Sequence, residues 1–236
     1  MSEIYSNNYL RINKDTSNSI FTIELSVSNQ MLINSLIKTR IIQGGTVTDD
    51  YKSIKFKAQS VKSLLQFKEE HNKILGSYSL PINIVAKMLN NLGNQLNYLE
   101  RIYSCTILGY TPENVIVIND QKFAFVGSEY ITEIDNNMIL ISSPFTSKDF
   151  YLSPELLNIN ELPSFVNYKT SYFSLACLLI NALLSNEDFY EDYLRVQQTD
   201  IIIKHLNTHL IKETRLYWLL SRCLVEDPKN RCIQLI

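Results

Sequence analysis

The sequence predicts an α+β protein with a smaller, mostly β N-terminal part and a larger helical C-terminal part. In residues 20–27 apolar and polar side chains alternate, which is typical of a strand with one buried face. Between residues 82 and 99 apolar side chains recur at spacings of three and four, which indicates an amphipathic helix. Residues 172–184 are apolar nearly all round, so we expect a helix buried at the centre of the larger part.

Composition limits the partners that the protein can bind through charge. The chain has 236 residues, of which 45% are hydrophobic, which is enough for one domain or two small lobes. Its 22 basic and 24 acidic residues give a formal net charge of −2. Proteins that bind nucleic acid or anionic membranes mainly through charge need an excess of basic residues. We therefore expect neither nucleic acid nor a membrane among its partners.

The cysteines and the N-terminus indicate the compartment. The four cysteines form no C-x-x-C pair, which favours buried free thiols in a reducing compartment over a zinc or redox site. The first 18 residues are polar and lack the pattern of a signal peptide. The longest apolar run, residues 172–184, is shorter than the ~20 residues that a membrane-spanning helix needs. A soluble, cytoplasmic protein is the expectation.

The N-terminal part is expected to hold a polar arm, two strands and two short helices. Residues 1–19 are polar and predict an arm without regular structure. In the second strand Ile54, Phe56 and Ala58 would face inward. Ser60 is the expected N-cap of the second helix. After the arm, the predicted elements are a strand at 20–27, a helix at 31–37, a strand at 51–58 and a helix at 60–72.

The C-terminal part is expected to begin with the long helix at 82–99. Ser79 is its expected N-cap, and Pro81 suits a first turn because its missing N–H is not needed there. Asn119-Asp120 predicts a tight hairpin between two strands. An irregular stretch to about Tyr151 should follow. The remaining predicted elements are strands at 114–118 and 122–126 and helices at 172–184, 189–197, 201–210 and 213–224.

Five motifs in the C-terminal part resemble motifs of the protein kinase large lobe, in the same order. They cover roughly residues 81–231. The resemblance implies a two-lobed protein kinase-like fold with an arm at 1–19, a reduced N-lobe at 20–78 and a C-lobe at 79–236. The matching segments are T-P-E-N-V-I-V at 111–117, K-F-A-F-V-G at 122–127, Y-L-S-P-E at 151–155, Y-F-S-L-A-C at 172–177 and the L-L-x-x-C-L-x-x-D-P-x-x-R pattern at 219–231.

The same resemblance places apolar or small residues where a kinase needs acids. Gly109 stands at the position of the catalytic aspartate, and Phe125 stands at the position of the D-F-G aspartate. An apolar ring cannot bind Mg²⁺, which requires hard oxygen ligands. Of the two expected metal ligands only Asn114 remains, and it is a weak candidate for binding a nucleotide. The aspartate that braces the catalytic loop from the central helix is replaced by Ser171.

The expected nucleotide-binding lobe is also reduced. No G-x-G-x-x-G sequence occurs, so we expect no loop over the phosphates. Lys55 or Lys57 could stand in for the kinase lysine, with Glu69 or Glu70 as a helix partner, although solvent-facing lysines of a strand are the alternative. Glu129 is a further candidate for a displaced metal ligand. No metal site is predicted.

The residues that hold the kinase fold together are retained. The family pairs the glutamate of its A-P-E motif with the arginine of its closing motif, and Glu155 and Arg231 stand at these positions. The resemblance therefore implies a structural ion pair, in which a bidentate contact would fix the segment around Glu155 to the helices beneath it.

The retained and lost residues together predict a pseudokinase. We expect a catalytically inactive kinase-like domain that acts as a protein-binding scaffold or regulator and needs no cofactor. Its partner would be a kinase, a kinase substrate or another signalling component. The alternative is a divergent Ser/Thr kinase-like enzyme, or another ATP-dependent phosphoryl or nucleotidyl transferase, which would bind ATP and Mg²⁺. In a third hypothesis the N-terminal part is unrelated to kinases and lacks a five-stranded sheet.

Overall fold

A five-stranded antiparallel sheet forms the N-terminal part of the chain. The structure, a computed structural model, describes residues 2–7, 9–15, 19–144, 151–184 and 199–233. Along the sheet the strands follow the order β1-β2-β3-β5-β4, and helix α1 connects β3 to β4. Their bounds are β1 Ser2–Ser6, β2 Leu10–Lys14, β3 Ile20–Leu25, α1 Gln30–Lys38, β4 Thr46–Val47 and β5 Ser53–Lys57.

The prediction of a polar arm over residues 1–19 was wrong, because this segment supplies two of the five strands. β2 pairs with β3 in a register that sets Ile12 opposite Ile23, and both side chains are buried. The apolar signal of β2 rests on Leu10 and Ile12 alone, so its burial depends on the neighbouring strand. The expected strand at 20–27, the helix at 31–37 and the inward face of the strand at 51–58 are confirmed.

The second helix begins later than predicted. Residues 61–63 form a short strand, β6, and helix α2 spans Leu64–Leu75. Ser63 rather than Ser60 is the N-cap, and it forms a capping box with Gln66, in which each side chain bonds the other residue's backbone N–H. Because the helix begins only at Leu64, Val61 lies in β6 and pairs with Ile118 in an antiparallel sheet.

Helix α3, Ile82–Tyr103, is the long amphipathic helix expected from the sequence. Pro81 occupies the N-cap position and no side chain caps this end, so the prediction of Ser79 as N-cap was wrong. The hydroxyl of Ser79 instead shares a hydrogen bond with the hydroxyl of Ser77. The buried face of α3 includes Val85, Leu89, Leu92, Leu96 and Leu99.

The predicted hairpin is present and belongs to a three-stranded sheet. Strand β7 spans Cys105–Ile107, and the hairpin consists of β8 Val115–Ile118 and β9 Lys122–Phe125. Asn119 and Asp120 both have positive φ values, of 53° and 56°, as a tight two-residue turn requires. β8 pairs with β6 on one side and with β9 on the other.

The stretch before Tyr151, predicted to be irregular, contains two strands. β10, Ile131–Glu133, pairs with β7, and β11, Met138–Ile141, pairs with β12, Ser164–Asn167. Each strand has only three or four residues, and its partner lies more than twenty positions away. A local sequence pattern of this length does not identify such a pairing.

The centre of the C-terminal part is a helix that is buried along its whole length. α5 spans Thr170–Leu183, and all 14 of its residues are buried, as predicted. The helix expected at 189–197 lies outside the described residues. Three of the four cysteines are buried, all four are free, and burial raises the pKa of Cys223 to about 12. The other helices are α4 Pro154–Leu157, α6 Thr199–Thr208 and α7 Arg215–Cys223.

In the described ranges, helices long and apolar enough to cross a membrane are absent.

Candidate functional site

If the chain resembles a kinase, a nucleotide would bind between the five-stranded sheet and the β8–β9 hairpin. Alternate residues of the hairpin face two different cores. Val115, Val117, Phe123 and Phe125 pack toward helices α3 and α5. The other residues belong to one apolar cluster that also contains residues of the sheet, such as Ile12, Ile23 and Ile54, and residues of α1. These other hairpin residues are Ile116, Ile118, Ala124 and Val126.

We call this second cluster the filled interface, because side chains occupy the space between the sheet and the hairpin. Ile12, Ile23, Ile116 and Val126 are all completely buried. A nucleotide base needs an apolar slot between two walls, and here buried side chains of both walls belong to one apolar cluster. Burial of these aliphatic side chains stabilises the closed arrangement by about 1.5–3 kcal/mol for each fully buried residue.

Phe125, at the expected position of the metal-binding aspartate, is fully buried in the helical core. Its ring packs edge-on against Tyr110, with centroids 5.1 Å apart. Gln95 of α3 accepts a hydrogen bond from the Phe125 backbone N–H and donates one to the Phe125 carbonyl, both at 2.9 Å. The same Gln95 amide group also bonds the hydroxyl of Ser35 in α1 at 3.0 Å. The side chain at position 125 therefore faces away from the filled interface.

The loop that contains Gly109 is fixed to the central helix by Ser174, which belongs to the Y-F-S-L-A-C motif, although no such role was predicted for it. The Tyr110 backbone N–H donates to the Ser174 hydroxyl of α5 at 2.8 Å. Ser171, at the expected brace position, instead bonds the Tyr168 carbonyl within its own turn. The expectation that the loop has lost its brace needs correction, because Ser174 supplies one. Gly109 itself offers no side chain that could act as a base.

Asn114 is buried and tightly packed at the end of this loop. Its carbonyl accepts a hydrogen bond from the Val126 backbone N–H at 2.9 Å, so it joins the loop to the end of β9. A Cβ atom on Gly127 would lie 3.1 Å from the Asn114 Cγ atom and 2.8 Å from the Phe125 Cζ atom. Only glycine therefore fits at position 127 without displacing its neighbours.

The described part of the chain shows no cluster of metal-ligating side chains that Asn114 could join. Across the described residues, no three His, Cys, Asp or Glu side chains are grouped so that they could hold a metal ion. Glu129 lies in the short 3₁₀ turn Ser128–Tyr130. The residue as a whole is exposed, and desolvation of its carboxyl raises its pKa to about 7. Glu129 belongs to no such group of three side chains in the described part of the chain.

Lys55 and Lys57 lie on the exposed face of β5. Lys55 is paired in register with Thr22 of β3 and Thr46 of β4, and both lysines are exposed. The expected partner Glu70 contacts Lys62 instead. Neither candidate lysine forms an ion pair with a described residue, which favours the alternative interpretation as solvent-facing lysines.

Tyr5 of β1 and Tyr9, just before β2, contact the C-terminal part near Asn114, which the sequence did not indicate. The Tyr5 hydroxyl donates to the Glu113 carbonyl at 3.0 Å, across 108 positions of sequence. The ring of Tyr9 lies 6.2 Å from the ring of Tyr130 in an edge-on contact. These contacts hold the N-terminal sheet against the C-terminal part at the rim of the filled interface.

Glu155 and Arg231 form the bidentate pair that the resemblance implies. Arg231 Nη1 lies 2.6 Å from Glu155 Oε1, and Nη2 lies 2.9 Å from Oε2. The guanidinium is fully buried and also donates to the carbonyls of Val225 and Glu226. It stacks over the Phe173 ring at 5.1 Å from the centroid. The charge is thus paired and hydrogen-bonded, as a buried guanidinium requires.

Comparison with known proteins gives no independent assignment. No protein-family model matches the chain, and no curated protein matches its sequence significantly.

Proposed function

We propose that the chain is a catalytically inactive, protein kinase-like domain that acts by binding another protein, as a scaffold or regulator. The observation that carries this proposal is the filled interface, with Phe125 buried beside it. A kinase must hold Mg²⁺ and the phosphates of ATP in register between its two lobes. Here aliphatic side chains fill that space, and the side chains at the two acidic positions are absent or apolar.

The arrangement of the N-terminal part supports the kinase-like part of the proposal. Kinases carry their nucleotide-binding lysine on the third strand and its glutamate partner on the helix that follows. In this chain β3 is likewise followed by a helix, α1, within a sheet of five strands. β3 contains no lysine, and α1 contains no acidic residue. This order of strand and helix supports a kinase-like N-terminal part, and the missing lysine and acid support its inactivity.

The third hypothesis, an N-terminal part unrelated to kinases, was expected to lack a five-stranded sheet. The presence of five strands counts against it. The divergent-enzyme alternative needs an acid near Asn114 that can hold Mg²⁺, and Phe125 does not supply one. Within the residues that the structure describes, we find no contact that favours that alternative.

Nucleotide binding and phosphate transfer test the proposal directly. Purified protein is titrated with Mg-ATP to several millimolar while its melting temperature is followed, with an active protein kinase as positive control. Because a ligand that binds only the folded state raises its apparent stability, we expect no shift for this chain. We also expect no transfer of labelled γ-phosphate to a mixture of protein acceptors.

The variant Asn114→Ala distinguishes the inactive domain that we propose from the alternative of a divergent enzyme. Under the proposal, wild type and variant give the same null result with and without Mg²⁺. A melting-temperature increase with Mg-ATP, or phosphate transfer, that disappears in the variant would overturn the proposal and establish the enzyme.

A further inference from the structure

A groove of about 320 Å³ lies where the end of α1 meets the C-terminal half of α3, away from the filled interface. We call it the basic groove. Its volume is at the lower end of the range for sites that bind small groups. Among the eight residues that line it are Lys38, Arg40, Asn94, Asn97, Arg101 and Ile102.

The three basic side chains of this groove have no partner among the described residues. Lys38, Arg40 and Arg101 form neither an ion pair nor a side-chain hydrogen bond there, and no acidic residue lines the groove. The nearest carboxyl in sequence, that of Glu100, accepts a hydrogen bond from the Tyr172 hydroxyl at 3.0 Å. The charge of Arg101 lowers the pKa of Glu100, but the two side chains do not form an ion pair.

The backbone at Arg40 is in a conformation that glycine normally adopts. Arg40 is the first residue after the C-cap of α1 and has a φ of 59°. Helix ends favour glycine in this left-handed conformation, because a Cβ atom is strained there. At the end of α2 the residue with such a φ, 68°, is Gly76. An arginine at this position costs stability relative to glycine and places a guanidinium at the groove.

The walls of the groove are held together by contacts between the two helices. Asn34 of α1 donates to the hydroxyl of Tyr103 of α3 at 2.8 Å. The Ser35–Gln95 hydrogen bond links the same two helices inside the core. The backbones that carry the three cations are therefore fixed before any ligand arrives, which reduces the entropy lost on binding.

We propose that the basic groove binds a phosphorylated side chain of a partner protein. A phosphoryl group carries a charge of about −1.5 to −2 at neutral pH and three acceptor oxygens, which match several converging cations better than a single carboxylate does. The amides of Asn94 and Asn97 add donors. Ile102 is 61% exposed and offers an apolar contact to a residue beside the phosphorylated one.

Two other anionic ligands fit the groove less well. Lipid-binding patches commonly use clusters of four to eight basic residues, and the groove has three. Nucleic acid binding gains its affinity from many phosphate contacts, which a chain of net charge −2 with a short basic groove does not provide. Phosphopeptide binding does not require the kinase-like assignment, so the two proposals can fail separately.

Fluorescence polarisation with a phosphopeptide library tests this assignment. The probes are labelled peptides with a fixed central phosphoserine, phosphothreonine or phosphotyrosine and random flanking residues, together with their unphosphorylated counterparts. We expect the purified full chain to bind at least one phosphorylated pool about tenfold more tightly than its counterpart. Arg40→Gly and Arg101→Ala should each weaken that binding about tenfold, because each removes charge-assisted hydrogen bonds.

Arg40→Gly gives a second readout that a merely structural role would not produce. Because glycine relieves the strained backbone, this variant should melt about 2 °C higher while it loses phosphopeptide binding. Glu213→Gly is the matched control, since Glu213 also has a positive φ of 67° and lies outside the groove. It should gain similar stability and keep wild-type binding.

Several results would overturn the assignment. One is the absence of phosphate-dependent binding in all pools. Another is phosphopeptide binding that Arg40→Gly and Arg101→Ala leave unchanged. Inorganic phosphate that binds as tightly as the best pool would assign the groove to free phosphate. Binding to phosphatidylserine vesicles that is lost in Arg40→Gly, without binding to phosphopeptides, would assign it to a membrane surface.

Discussion

Individual residues of this chain show how burial changes the chemistry of a side chain. The carboxyl of Glu100 is largely removed from water and accepts hydrogen bonds from the hydroxyls of Tyr172 and Thr106. Burial raises its pKa from an ordinary value of 4.5 to about 7, and the hydrogen bonds only partly oppose this shift. The folded state therefore binds this proton more tightly than the unfolded chain does.

A pH dependence of stability follows from Glu100. Between about pH 4.5 and 7 the folded state holds more protons than the unfolded state, so the free energy of unfolding should fall as the pH rises. Glu100→Gln keeps an acceptor for Tyr172 and cannot ionise. Between pH 5 and pH 8 the free energy of unfolding should therefore fall less in this variant than in wild type, by on the order of 2 kcal/mol. Urea denaturation at each pH measures this difference.

The exposed residue Glu69 provides the control for that comparison. Glu69→Gln should follow the wild-type profile, because Glu69 has no partner among the described residues. Parallel pH profiles for wild type and Glu100→Gln would contradict the role assigned to Glu100.

At the scale of elements, one buried amide joins three of them. Gln95 of α3 bonds the backbone of Phe125 in β9 twice and the hydroxyl of Ser35 in α1 once. Gln95→Leu would leave the N–H and carbonyl of Phe125 buried without partners. We expect a loss of about 2–4 kcal/mol in the free energy of unfolding, measured by urea denaturation.

A matched substitution on the same helix tests whether that loss comes from the hydrogen bonds. Asn94→Leu makes the same change from an amide to an aliphatic group at an exposed position and should change stability by less than about 0.5 kcal/mol. Equal effects of the two variants would show that the Gln95 hydrogen bonds are not responsible.

The elements that the sequence predicts correctly are those with strong local signals. The long periodicity of α3, the apolar run of α5 and the Asn119-Asp120 turn each need no information from distant residues. β2 and the β11–β12 pair were missed, because a strand of four or five residues is defined by its partner. The Glu155–Arg231 contact, 76 positions apart, could be anticipated only through the motif resemblance.

The filled interface was not anticipated, although one signal for it was present. Strands β8 and β9 are apolar at nearly every position, which is typical of strands covered on both faces. The sequence does not show which element covers the second face. Identifying the covering element requires the pairing of β2 with β3, which places Ile12 and Ile23 in one apolar cluster with the hairpin residues.

At the scale of the whole molecule, the filled interface couples the sheet to the helical part. Because Ile116 and Val126 share one apolar cluster with Ile23, neither part can unfold without exposing the other's core. We expect a single calorimetric transition whose calorimetric and van't Hoff enthalpies agree. Ile116→Ala should lower the protection of backbone amides in β3 and in α5 equally, by about 2–5 kcal/mol in hydrogen exchange.

Ile74, which is exposed, offers the control, and Ile74→Ala should leave amide protection in both parts unchanged. Two resolved transitions, or a loss of protection in Ile116→Ala that is confined to one part, would show that the two parts unfold independently.

The close packing of the filled interface also has a consequence for chemical biology. A flat heterocyclic compound that needs a preformed slot would first have to separate the buried aliphatic side chains of this cluster. Under the two proposals made above, screens for small molecules that modulate this chain are better aimed at its outer grooves, with displacement of a phosphopeptide rather than competition with a nucleotide as the assay.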